Sequence, residues 1–106
     1  MSESYHEALR YVRNNIDTEV TLIHLAEEAA ELACAALHLV RSVNGKDPTP
    51  KSRDAALSCL YEEVGDVLNT LDALDIGEED EVLRSREIKM VRWSARLAAM
   101  EDDIDE

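Results

Sequence analysis

The sequence predicts an all-α protein, a bundle of four helices whose second and third members form an antiparallel hairpin. Three observations carry this. Gly and Pro together occupy only five of 106 positions, while 45% of residues are hydrophobic and 33% charged, a composition suited to soluble helices. Apolar residues recur at helical spacing in two long stretches: Leu22, Leu25, Ala29, Leu32, Ala36, Leu39, Val43, and then Leu57, Leu60, Val64, Val67, Leu71, Leu74. Alternating steps of three and four are those of a core seam in left-handed helix packing. Finally, a shift of thirty-five residues lays one stretch on the other, so that LAEEAAEL at 25–32 falls on LYEEVGDV at 60–67.

The elements follow in order. A first helix runs from about Ser4 to Asn14 and breaks at Asn15-Ile16-Asp17-Thr18, which offers good N-cap residues. A second spans roughly Thr18 to Val43. Asn44 to Pro50 is the clearest loop; Thr49 is expected to cap a third helix and Pro50 to occupy its first position. That helix continues to about Asp75, with Gly77 as a natural stop. The fourth opens on Glu78, Glu79, Asp80 and Glu81, where carboxylates suit a helix N-terminus, and runs to about Met100. Residues 1–100 thus read as one helical domain, and 101–106 as an acidic, solvated tail.

The formal net charge is −13. Such a surface repels nucleic acid and anionic membranes, and repels a phosphate substrate unless cations intervene. Neither a signal peptide nor a membrane span is visible, so a cytoplasmic protein is expected. Cys34 and Cys59 lie in apolar helical stretches and read as buried thiols, with no metal-binding spacing.

Helical geometry sorts the carboxylates. At 100° per residue, Glu28 lies about 60° to one side of the Leu25 direction and Glu31 about 120° on the same side, while Glu27 points nearly opposite the seam. Glu63, Asp66 and Glu62 repeat this on the third helix. Asp47 stands midway: Glu31 and Glu63 are each sixteen residues from it, Glu28 and Asp66 each nineteen. An antiparallel hairpin brings these pairs to matching heights, on axes about 8–10 Å apart. Either cluster taken singly reads as a solvated flank. The matched pair points to a metal site, because converging anions at a core edge are costly without a cation. All-oxygen ligands select Mg²⁺, Mn²⁺ or Ca²⁺ over zinc.

Glu28-x-x-Glu31 followed by Glu63-x-x-Asp66 resembles the ExxE…ExxD signature of the MazG-like, all-α nucleoside triphosphate pyrophosphohydrolases. The blocks LAEEAAELACAALHLVR, NGKDPTP, EEVGDVLNTLDAL and IKMVRWSARL extend the likeness to small phage-type or bacterial members, over about residues 18–97. The resemblance implies a four-helix MazG-like bundle, dimeric or tetrameric, with the dimer often completing the site. It implies Mg²⁺, with Mn²⁺ as a substitute, held by Glu28, Glu31, Glu63 and Asp66. The implied reaction cleaves a nucleoside triphosphate between its α- and β-phosphates. Lys89 and Arg92 match the basic positions of the fourth helix, whereas Ile88 stands where many relatives carry Asn.

The chemistry agrees with those residue types. Phosphoanhydride cleavage needs charge neutralisation more than covalent help, and Glu28 or Glu31 could position or deprotonate water. Arg86, Lys89, Arg92 and Arg96 form one basic stripe, readable as a pyrophosphate clamp or as a solvated face. Trp93 reads as a core or interface residue. His24 and His38 lie on the acidic side of the second helix as outer-shell or surface groups, and Asn69 is one turn beyond Asp66. Apolar positions on the first and fourth helices (Leu9, Val12, Leu83, Met90, Trp93, Leu97) predict a homodimer or homotetramer. Other readings keep the fold but take dUTP, dCTP or phosphoribosyl-ATP as substrate, or make the chain a non-catalytic helical oligomer for partner binding.

Overall fold

The computed structural model describes residues 1–45 and 51–105, the side chains of 103–105 excepted. Every element among the described residues is helical: α1 (Glu3–Asn15), α2 (Thr18–Asn44), α3 (Arg53–Leu74) and α4 (Asp80–Asp105). The chain divides into two compact units, Met1–Asp75 and Ile76–Glu106.

Local chemistry sets the helix ends. Ser2 caps α1 by accepting from the Tyr5 N–H, and Asp17 caps α2 by accepting from the Val20 N–H at 2.8 Å. Gly45 ends α2 at φ 66°, the left-handed conformation that glycine adopts without steric cost. Two expected boundaries need correction. The N-cap of α3 is Ser52, whose hydroxyl accepts from the Ala55 N–H; Thr49 and Pro50 lie outside the described residues. The C-cap of α3 is Asp75 at φ 57°, not Gly77. Aspartate is among the few non-glycine residues that tolerate this region. Here its N–H donates to the Leu71 and Asp72 carbonyls, and its carboxylate meets Arg13 at 3.4 Å. The fourth helix also runs beyond Met100, through Asp105.

α2 and α3 pack extensively on each other. They do so antiparallel: α2 is about 40 Å long, and the connection 45–52 reaches at most about 28 Å fully extended, too short to return to its start. The packing line differs from the expected seam by one residue on every second contact. On α2 the shielded line runs through Thr21, Leu25, Glu28, Leu32, Ala35, Leu39 and Ser42, and on α3 through Ala56, Leu60, Glu63, Val67, Thr70 and Leu74, while Leu57 and Leu71 of the expected seam stay half-buried beside it. Leu22, Ala29, Ala36, Val43 and Val64, expected in the core, are exposed. At Thr21, Ser42, Ala56 and Thr70 the line takes a side chain smaller than its expected neighbour, and Ala56 is 0% exposed and Ala35 6%; size does not account for Glu28 over Ala29 or Glu63 over Val64. Thr21 and Thr70 are also buried there, and each hydroxyl donates to a carbonyl four residues back, Asp17 and Asp66 respectively. That satisfies a polar group whose burial would otherwise be costly. Enlarging this line should strain the hairpin. Ala56→Leu is expected to lower unfolding free energy by about 1–3 kcal/mol, measurable by chemical denaturation; an unchanged midpoint and slope would contradict close packing at Ala56.

α1 lies against α3 through polar contacts. The Tyr5 hydroxyl is 2.6 Å from Asp72 Oδ2 and 3.1 Å from Asn69 Oδ1. Its hydrogen bond to Asp72 holds the phenol above its ordinary pKa. Arg13 Nε donates to the Asp72 carbonyl at 3.0 Å, and Nη2 to the same oxygen. A cation is thus placed at the C-terminal end of α3, where the helix dipole favours it. In the second unit, α4 exposes Arg86, Lys89, Arg92, Trp93 and Arg96. Trp93, expected in a core or interface, is 56% exposed in this single chain.

Candidate metal centre

The hairpin carries its acidic residues on one flank. Glu28 and Glu63 occupy the packing line itself, at positions that correspond under the thirty-five-residue shift. Glu31 and Asp66 sit one turn further on, at the exposed edge. One carboxylate oxygen from each of these four residues lies within 4.8 Å of the other three. Glu27 and Glu62, adjacent in sequence, are exposed and outside the cluster.

The electrostatics are those of a crowded anionic site. Burial pushes the Glu28 carboxyl above its ordinary pKa, followed by the charges of Glu31, Asp66 and Glu63. Burial likewise raises Glu63, aided by Glu31 and Asp66. In each, one carboxylate oxygen, Oε2, is shut off from solvent and has no hydrogen-bond partner. Buried polar atoms are normally paired, so two orphaned oxygens facing two further carboxylates describe a place for a cation. The donor set is entirely oxygen, which suits hard divalent ions. Cluster and ion fit each other on chemistry.

These shifts set a pH dependence. Glu28 and Glu63 bind protons more tightly in the folded chain than in the unfolded one. Their contribution to stability is therefore complete below the ordinary value of 4.5 and is lost as pH rises through the raised folded values. Without divalent ions, the protein should melt at a higher temperature at pH 5 than at pH 8. The Glu28→Gln/Glu63→Gln double variant should show a smaller difference, and an equal one would remove these carboxyls as its source.

A cleft of about 320 Å³ adjoins the cluster and is lined by Glu31 and Glu63 together with Cys34, His38, Lys51 and Cys59. Lys51 Nζ lies 3.3 Å from Cys59 Sγ. Lys51 is a cation on this cleft that the sequence did not single out, because where a side chain following a loop comes to rest has no helical period to reveal it. His38 is half-buried in the cleft, while His24 lines a separate groove of about 430 Å³ beneath α1. Asn69 is engaged by Tyr5. Both cysteines are free thiols, but Cys34 is exposed and Cys59 only half-buried, so the expectation of buried thiols is corrected. Ala35, not Cys34, takes the packing position. Lys89 and Arg92 belong to the second unit, on the exposed surface of α4.

Fold and site together define a helical-hairpin protein with an all-carboxylate cluster on one flank. Comparison with protein-family models, curated proteins and solved structures finds no match to this chain. No helix among the described residues is long and apolar enough to cross a membrane.

Proposed function

We propose that the chain is a Mg²⁺-dependent nucleotide pyrophosphohydrolase of the MazG-like kind, converting a nucleoside triphosphate to the monophosphate and pyrophosphate in nucleotide-pool housecleaning. The observation that carries this reading is the convergence of Glu28, Glu31, Glu63 and Asp66, with one oxygen of each within 4.8 Å of the rest. These four residues would hold Mg²⁺, with Mn²⁺ as a substitute. When bound, the ion supplies charge neutralisation for phosphate oxygens and acidifies water. A chain of net charge −13 would otherwise repel the substrate.

The chain's own groups supply the rest. Glu28 or Glu31 orients the attacking water and accepts its proton. The water oxygen bonds to the α-phosphorus as the bond to the bridging oxygen breaks, and pyrophosphate leaves with that oxygen. The family resemblance gives Lys89 and Arg92, on the separate unit that carries α4, the role of offering charge to the departing group. The cleft beside Glu31 and Glu63 has the volume of a small-ligand site.

The test is pyrophosphate release, screened over standard and modified nucleoside triphosphates, dUTP, dCTP and phosphoribosyl-ATP, with and without Mg²⁺. Release that requires the ion is expected from at least one of them. No release from any, with Mg²⁺ or Mn²⁺, would leave a non-catalytic helical protein.

A further inference from the structure

The cleft beside the carboxylate cluster is lined by charges of both signs. Glu31 and Glu63 belong to the cluster and to the cleft alike, and Lys51 shares the cleft with them. Lys51 would be expected to pair with an acid, since the chain holds 24 acidic residues to 11 basic ones. Among the described residues it pairs with none. The contact its ammonium makes is a hydrogen bond donated to Cys59 Sγ at 3.3 Å, and the carboxylates of Glu31 and Glu63 stand beyond ion-pair distance. A thiol sulfur is a weak acceptor, so little is lost when the ammonium turns to a stronger one. His38, half-buried in the same cleft, adds a ring N–H.

These charges select a ligand. A free anion in the cleft would meet Glu31 and Glu63, and the unpartnered, solvent-free Oε2 of Glu63 sharpens that repulsion. A second cation would meet Lys51. An anion already held by a cation in the cluster meets neither objection. That describes a polyphosphate whose first phosphate is chelated at the cluster and whose remaining phosphates run into the cleft toward Lys51. A hydrogen bond from an ammonium to a phosphate is charge-assisted, and Lys suits phosphate as a point charge. The cleft, about 320 Å³, has room for this tail.

We propose that the cleft seats the terminal phosphates of the substrate, and that Lys51 binds the outermost of them and so sets a preference for triphosphates over diphosphates. Lys51 stands away from the carboxylates, so the phosphate farthest from the cluster is the one that reaches it. The proposal rests on the cation-dependent pyrophosphohydrolase reading for its substrate, and adds to it the place where the leaving group is held. Lys51 immediately precedes Ser52, the cap of α3, so the end of that helix fixes where its backbone stands.

Inorganic pyrophosphate is the probe, titrated calorimetrically into the 106-residue chain with saturating Mg²⁺ and without it. Wild type should bind pyrophosphate only with Mg²⁺. Lys51→Gln should weaken that binding by about tenfold or more, and Lys51→Arg by less, while the melting temperature holds and Mg²⁺ affinity stays within a few-fold. Arg10→Gln, an equal loss of charge at an exposed position of α1, should leave pyrophosphate affinity unchanged. In turnover, Lys51→Gln should shrink the kcat/KM advantage of a triphosphate over the diphosphate of the same nucleoside. Equal pyrophosphate affinity in wild type and Lys51→Gln overturns the proposal, and wild-type pyrophosphate release would still uphold the reaction. Wild type that binds no pyrophosphate with Mg²⁺ overturns it too, whatever nucleotides are cleaved. Lys51-dependent binding without any release would support the cleft as a seat for cation-bound phosphates and remove the reaction alone.

Discussion

Replacing Glu28, Glu31 or Glu63 by Gln, or Asp66 by Asn, is expected to abolish tight divalent-ion binding and to cut turnover by more than about 100-fold, since even outer partners of metal ligands cost 10–100-fold. Glu27→Gln and Glu62→Gln should stay within a few-fold of wild type. Each change keeps the side chain's shape and removes its charge. The comparison is internal, because Glu27 adjoins Glu28 and Glu62 adjoins Glu63. They differ in the direction they face: Glu28 and Glu63 hold a solvent-free oxygen in the cluster, and Glu27 and Glu62 are exposed. Steady-state pyrophosphate release and calorimetric titration with Mg²⁺ measure both effects. Equal damage from Glu27→Gln and Glu28→Gln would sink the helical-face argument.

The second large effect is on stability. Cation-free, the four carboxylates repel one another, and two buried oxygens lack partners. An ion that binds only the folded chain stabilises it by mass action, by about 2.7 kcal/mol at a hundredfold its Kd. In a small domain, each kcal/mol raises the melting temperature by roughly 4–8 °C. Millimolar MgCl₂ should therefore raise the melting temperature by on the order of 10 °C, well beyond NaCl of matched ionic strength. Equal shifts from the two salts would reduce the effect to screening. The gain should vanish in Glu28→Gln/Glu63→Gln, whose cation-free form should be the more stable at pH 8.

Much of this was legible in the residues. The four-helix order and the hairpin follow from apolar spacing, which survives any modest error in boundaries. Convergence of Glu28, Glu31, Glu63 and Asp66 follows from the same spacing plus their equal distances from Asp47. The packing line was less legible. Leu25, Leu32 and Leu39 mark it, but its alternate positions are Thr21, Glu28 and Ser42, which hydrophobicity does not flag, and Ala35, which it does not separate from Ala36. Leu22, Ala29, Ala36 and Val43 score as core, yet they are exposed. Small side chains decide how closely two helices approach, and a pattern of apolar letters does not register size. The helix ends show the same limit. Thr49 and Gly77 were sound caps by residue type, but Ser52 and Asp75 hold those places. Asp75 is held there by Arg13, a partner far away in sequence.

The most direct test of the central claim, that these four carboxylates form one cation site, is Mn²⁺ binding followed by electron paramagnetic resonance. The free-ion signal should fall as wild-type protein is added, Mg²⁺ should restore it by competition, and Glu28→Gln/Glu63→Gln should leave it unchanged. A double variant that takes up Mn²⁺ as wild type does would place the ion elsewhere and contradict the account.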